Sequence, residues 1–115
     1  MTLPPALLVG TGGALGAVLR HAVAGRLNRG ATPYGTVAVN AVGSFALGLL
    51  AFSGVGGDPS LLVGTGACGS FTTYSSFSVD AVTLWQAGRR RRAVTYAGGT
   101  FVAATCGVAL AWALV

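Results

Sequence analysis

The sequence predicts an all-α membrane protein with four transmembrane helices. Of its 115 residues, 53% are hydrophobic and only 8% are charged, and the mean hydropathy is +0.73. A soluble domain carries roughly 25% charged residues, so this composition excludes an ordinary soluble protein. Four apolar segments give the number of helices, because each approaches the ~20 residues that a helix needs to cross a bilayer.

The four apolar segments form a single domain. We predict spans at about 5–25, 35–53, 60–87 and 94–115. The connections between them are short, so consecutive helices run antiparallel and both termini lie on one side of the membrane. Small residues recur four positions apart, as in Gly12 and Gly16. This spacing lets helices approach each other closely in lipid.

The arginines predict the orientation in the inner or plasma membrane. The first and third loops carry Arg26, Arg29 and the run 89–92, whereas the loop between them carries only Asp58. By the positive-inside rule, both arginine-bearing loops are cytoplasmic and both termini lie outside. The basic pI of about 10.3 therefore reflects topology signals, and we predict no nucleic-acid partner.

The third segment has an unusual centre. Its residues 66–77 are G-A-C-G-S-F-T-T-Y-S-S-F. Glycines and hydroxyl side chains weaken a helix and offer its backbone other hydrogen bonds, so we predict that the third helix is broken in mid-membrane near 69–73. Non-helical backbone at that depth must be buried in protein or line a wet cavity. Carbonyl groups freed by such a break suit a hard monovalent cation.

Aromatic residues follow this centre at intervals of three. Phe71, Tyr74 and Phe77 would stack on one helix face. The edge of an aromatic ring is positive, so this face would suit a small anion. The alternative is an aromatic packing ridge with no ligand.

Polar residues in the second and fourth spans fall on single helix faces. Thr36, Asn40 and Ser44 are four positions apart. The amide of Asn40 either makes an interhelical hydrogen bond or directs an N–H group at a passing anion, and the sequence leaves both open. Tyr96 and Thr100 would continue such a track, although Tyr96 also suits an interfacial ring.

Two charged side chains fall within the spans. Arg20 either snorkels to the interface or lends positive potential to the mouth of an anion path. We favour the second because Arg26 and Arg29 already supply loop charge. Asp80 is the only acid within a span, and we expect it to pair with an arginine or to cap a helix fragment, with proton coupling as the less favoured alternative. The chain shows no nucleophile–base pair or metal cluster, so we predict that it is not an enzyme.

These motifs resemble the CrcB/Fluc family of fluoride channels. The matching pieces are G-G-A-L-G-A-V-L-R at 12–20, P-Y-G-T-V-A-V-N-A-V-G-S-F-A-L-G at 33–48 and the run at 66–77. The resemblance covers nearly the whole chain. It implies a fluoride-specific channel that exports fluoride passively and reduces its toxicity in the cytoplasm. It also implies an antiparallel dual-topology-type dimer with two fluoride paths and a structural Na⁺, not transported, at the dimer centre.

The resemblance also implies roles for individual residues. The backbone carbonyls of Gly69 and Thr72 would hold Na⁺. The ion pathway would use the residues that match the family motifs: Arg20, Asn40, Tyr74, Ser75, Phe77, Tyr96 and Thr100. This chain departs from the family at position 74, where Phe is usual, and mildly at Ser76, where Thr is usual. The Tyr74 hydroxyl would donate to fluoride, narrow the passage or silence one path.

The arginine bias bears on assembly. A homodimer with antiparallel subunits needs one chain to insert in both directions, and the arginines on one side argue against that. We therefore predict a heterodimer with a similar chain of opposite orientation and keep the homodimer as the alternative. A non-conducting partner subunit is the second functional candidate. A small multidrug exporter is less favoured, because the chain has no Glu and no Asp before position 58.

Overall fold

Helix is the only regular secondary structure in the computed structural model, which describes residues 3–28, 30 and 32–115. The prediction of an all-α chain is confirmed for those residues. Arg29, one of the arginines used to predict the orientation, lies outside them. The helices are α1 (Pro5–Leu27), α2 (Tyr34–Phe52), α3 (57–71), α4 (Ser75–Gln86) and α5 (Arg90–Leu114).

Three of these helices are long and apolar enough to cross a membrane: α1 with 23 residues, α2 with 19 and α5 with 25. The predicted third span is divided between α3 and α4. The last helix begins at Arg90, four residues before the predicted start of the fourth span. Gly88 makes the preceding turn with a φ of 80°, a conformation that glycine adopts readily. The arginines after it are good helix formers and extend the helix toward the turn.

The third segment changes its helical form along its length. In α3, the central part Ser60–Cys68 is a π-helix between short α-helical ends, Gly57–Pro59 and Gly69–Phe71. The backbone leaves the helix at Thr72, with φ −79° and ψ 158°, and α4 begins at Ser75. The interruption is therefore 72–74. The predicted range 69–73 began too early, because Gly69–Phe71 are helical.

Glycines bring the helices together in two pairs. On α1, Gly12 and Gly16 are buried against the backbone of α3. A Cβ atom at Gly12 would collide with the Leu62 carbonyl, and one at Gly16 with the Ala67 carbonyl. Helix α2 packs along α5 in the same way, where a Cβ atom at Gly107 would lie 2.8 Å from a backbone oxygen of α2. Contact this close needs residues without side chains on one of the two helices.

Helix α4 is held against the start of α5. Leu84 packs with Ala93 and Tyr96 in the main cluster of buried residues, and Val37, Phe77 and Ala81 pack around it. Elsewhere large apolar side chains point outward, including Phe101 at 73% and Trp112 at 70% exposure. This distribution fits helices whose outer faces contact lipid and whose few buried contacts position the interruption.

Candidate functional site

The side-chain amide of Asn40 on α2 holds the interruption between α3 and α4. Its Nδ2 donates to the carbonyl of Thr73 at 3.0 Å, and its Oδ1 accepts the N–H of the same residue at 2.7 Å. These two bonds provide partners for the N–H and the carbonyl of Thr73, which make no helical hydrogen bonds at this point. We call this pair of bonds the Asn40 latch. The interhelical bond is thus present, and the second hydrogen on Nδ2 remains for another acceptor.

The side chain of Thr73 organises the start of α4. Its Oγ1 accepts the N–H of Ser76 at 3.1 Å and lies 3.4 Å from the hydroxyl of Ser75. A hydroxyl in this position satisfies one of the free N–H groups in the first turn of a helix. The sequence predicted that Thr73, among the hydroxyl residues of this run, would offer the backbone another hydrogen bond, and its bond to Ser76 confirms this; its place at the start of α4 was not predicted. The signal was available, because a threonine shortly before a helical segment is a common start signal.

These bonds free two carbonyl groups. In a regular α-helix, the N–H groups of Thr73 and Ser76 would donate to the carbonyls of Gly69 and Thr72, four residues earlier. Both N–H groups donate instead to side-chain oxygens. The two carbonyls that the family resemblance assigns to Na⁺ therefore lose their helical donors, and backbone oxygen is a suitable ligand for a hard cation.

The ligand set within one chain is small. A hard cation takes roughly six oxygen ligands, and the two freed carbonyls supply only part of that number. Among the described residues, no three His, Cys, Asp or Glu side chains lie close enough together to hold a metal ion. The two carbonyls are of the kind that a hard cation takes, and they would supply only part of such a site.

A groove of about 350 Å³ lies beside the latch, between α2, α4 and α5. Its lining residues are Asn40, Ser44, Leu47, Thr72, Thr73, Tyr74, Phe77, Thr100, Phe101 and Ala104. The structure therefore brings together Asn40, Tyr74, Phe77 and Thr100 from three different helices and the interruption. We call this cavity the Asn40 groove.

Three aromatic rings form a row, and two of them, Tyr74 and Phe77, line the groove. The ring centroids of Tyr74 and Phe77 are 6.1 Å apart, and those of Phe77 and Tyr96 are 5.5 Å apart. Phe71 ends α3, Tyr74 belongs to the interruption and Phe77 lies on α4. The predicted single-helix face of three rings is therefore wrong. The Tyr74 side chain is 81% exposed and projects from the protomer.

The hydroxyls of the last helix are engaged within the protein. Tyr96 is 3% exposed, so it is a buried ring and not an interfacial one, and its OH donates to Oδ2 of Asp80 at 3.2 Å. The Thr36 hydroxyl donates to the same oxygen at 3.1 Å. The Thr100 hydroxyl donates to the carbonyl of Tyr96 at 2.7 Å. Asp80 lies in the middle of α4 and does not cap a helix fragment.

Three predicted pathway residues lie outside the Asn40 groove, namely Arg20, Ser75 and Tyr96. Arg20 is half-buried and lines a separate cavity of about 360 Å³ on the α1 side, together with Thr36, Thr73 and Asp80. Ser75 is exposed and lies beside the Thr73 hydroxyl. Thr73 and the backbone of the interruption therefore separate Arg20 from the Asn40 groove.

Apolar helices around an interrupted helix with a polar and aromatic groove define a small helical membrane protein. Residues 7–112 match the family model described as CrcB-like protein, Camphor Resistance (CrcB). The chain belongs to this family.

Several relatives that align with nearly the whole chain are named Fluoride-specific ion channel FluC. The chain is 56% identical over 115 residues to Fluoride-specific ion channel FluC 2 of Haloarcula marismortui, with 100% of this chain and 97% of the relative covered. It is 53% identical to Fluoride-specific ion channel FluC 1 of Halobacterium salinarum, with coverage of 97% and 94%. It is 44% identical to Fluoride-specific ion channel FluC of Rhizobium etli, with coverage of 92% and 87%.

Proposed function

We propose that this chain is a subunit of a fluoride-specific ion channel that exports fluoride passively and limits its toxicity in the cytoplasm. The observation that carries the proposal is the Asn40 groove. It unites a neutral amide donor with the rings of Tyr74 and Phe77 beside an interrupted helix. The names of the full-length relatives support the choice of fluoride.

The groove offers fluoride a replacement for its water shell. The second N–H of Asn40 would donate to the ion, and the positive ring edges of Phe77 and Tyr74 would face it. These groups are neutral, so they would not trap the ion as a fixed cation would. The hydroxyl hydrogens of Tyr96 and Thr100 are already used, so these two residues would shape the path and Tyr96 would support the ring of Phe77.

The interruption would lie near the middle of the membrane. Helix α4 has 12 residues and α3 is slightly longer, so residues 72–74 fall near the centre of their joint crossing. The arginine-bearing loops would be cytoplasmic and both termini outside, by the positive-inside rule.

A second chain would complete the channel. Polar groups around the interruption are exposed on the protomer, namely Gly69, Tyr74, Ser75 and Ser76. Lipid offers such groups no hydrogen bonds, so we propose that an antiparallel partner covers them. Equivalent carbonyls from that partner would join those of Gly69 and Thr72 around a structural Na⁺ at a two-fold or pseudo-two-fold centre.

The first prediction concerns transport. The assembled channel, in which this chain is coexpressed with its partner chain, purified with Na⁺ and reconstituted in liposomes, is expected to release fluoride but not chloride when potassium and its ionophore balance the charge. Replacing Na⁺ with N-methylglucamine throughout should slow the release. Ion-selective electrodes measure both fluxes. Equal release of chloride would reject fluoride selectivity, and unchanged release without Na⁺ would reject the structural cation.

A non-conducting partner subunit is the second candidate function. The observation that favours it is Tyr74, which lines the groove at a position where the family usually has Phe. In the assembled channel, Phe77→Ile on this chain would then leave fluoride release unchanged, whereas a conducting groove would lose most of it.

The second prediction concerns assembly. Because the arginines lie on one side, we expect this chain expressed alone to release little fluoride, and coexpression with a similar chain of reversed arginine bias to restore release. Light scattering of the purified protein measures the mass of the assembly. Robust release from the pure chain would refute the need for a different partner and favour the homodimer.

A further inference from the structure

A second cavity lies between α2 and the first half of α5. It has a volume of about 540 Å³. Its lining residues are Thr32, Tyr34, Val37, Arg91, Arg92, Thr95, Tyr96, Gly99 and Thr100. Among its lining residues on α5, Arg91 and Arg92 come first along the helix and Thr100 comes last. Thr100 also lines the Asn40 groove, so the two cavities share a wall. We call the second one the entry cavity.

The charge of the entry cavity is positive and poorly compensated. Arg91 and Arg92 are exposed and lie in the first turn of α5, which carries no acidic residue. The N-terminus of a helix already has a positive partial charge, so the two guanidinium groups add to it. Asp80 does not line the cavity, and its carboxylate accepts hydrogen bonds from the hydroxyls of Thr36 and Tyr96.

The neighbouring arginines are placed differently. Arg89 and Arg90 do not line the entry cavity. The guanidinium carbon of Arg90 lies 4.9 Å from the centre of the Trp85 ring, a cation–π contact that holds it on the α4 side. All four arginines line an open cavity of about 550 Å³ beside Gly88, but only Arg91 and Arg92 also line the entry cavity.

We propose that the entry cavity is an anion antechamber, in which Arg91 and Arg92 concentrate small monovalent anions before they pass Thr100 into the Asn40 groove. The proposal rests on the proposed channel function but adds a site that conduction as such does not require. Concentration there is electrostatic and not selective for fluoride, because the cavity is wide. A charged cleft of this kind raises association rates by ~10–10³-fold at low ionic strength.

The test compares two double variants with the same loss of charge. At an ionic strength of ~0.1 M, where the Debye length is ~10 Å and charges farther from the cavity are screened, R91Q/R92Q is expected to lower fluoride flux about threefold. At ~1 M, where that length is ~3 Å, the flux should match that of the unmodified protein. R89Q/R90Q is the matched control and should lower flux less than twofold. R91K/R92K keeps the charge and should retain most of the flux.

Chloride NMR gives a readout that does not depend on conduction. Chloride bound at arginines broadens the ³⁵Cl line, so the excess linewidth caused by the detergent-solubilised protein should fall in R91Q/R92Q but not in R89Q/R90Q. If the assembled channel, with the partner chain present, carries no fluoride but this difference in linewidth persists, the proposed function fails and the antechamber stands. Equal effects of both double variants, or a flux defect that persists at ~1 M salt, would overturn the antechamber.

Discussion

Asn40→Ala is expected to reduce fluoride release at least about tenfold, which corresponds to ~1.4 kcal/mol, and to destabilise the protein. The substitution removes both partners of the Thr73 backbone. Thr73 is buried at 8% exposure, and each buried polar group left without a partner costs ~1–3 kcal/mol. The released Thr73 N–H would then be able to return to the Gly69 carbonyl and extend α3 through the interruption.

Two further variants separate the latch from a general loss of polarity. Asn40→Asp keeps an acceptor for the Thr73 N–H but removes the Nδ2 group. It therefore tests together the bond from Nδ2 to the Thr73 carbonyl and the remaining N–H of Nδ2 that would face the ion. Ser44→Ala is the matched control, because Ser44 lines the same groove one turn along the same helix face. It should change release and melting temperature little.

Fluoride-electrode recordings from liposomes and melting curves in detergent measure the two effects. An Asn40→Ala protein that releases fluoride and melts like the unmodified chain would contradict the role of the latch. Normal melting with lost release would indicate that the free N–H matters for conduction and that the latch does not hold the fold.

Gly12→Ala is expected to have the largest effect on folding outside the groove. Its new Cβ would meet the Leu62 carbonyl oxygen, with the Leu62 carbonyl carbon at 2.9 Å and the Ala67 nitrogen at 3.0 Å. All three atoms are backbone, so no side-chain rotation relieves the contact and α1 must move away from α3. Overpacking of this kind costs ~1–3 kcal/mol, which lowers the melting temperature by roughly 5 °C or more.

Gly10→Ala is the control on the same helix. A Cβ at Gly10 would meet nothing within 4 Å, and alanine favours a helix over glycine by ~1 kcal/mol. The melting temperature of this variant should therefore stay the same or rise. If Gly12→Ala and Gly10→Ala melt alike, the close α1–α3 contact does not stabilise the protein in the way described here.

Some features could be predicted from the sequence because they depend on local composition. The apolar segments predicted the helices, since length and hydropathy are properties of each segment alone. The four-residue spacing of Thr36, Asn40 and Ser44 predicted a polar face on α2, and two of these residues line the Asn40 groove. Gly12 and Gly16 predicted close helix contact, and the structure places both against α3.

The class of protein, the helices and the residue types available for an ion path follow from the order of amino acids along the chain. The position of the interruption in the third segment depends instead on how the helices pack, because Asn40, 33 residues away from Thr73, binds the Thr73 backbone. The same long-range contact set Phe71 apart from Tyr74 and placed Arg20 behind Thr73. Spacing along one helix predicts which residues share a face, but the partners of that face depend on how the other helices pack.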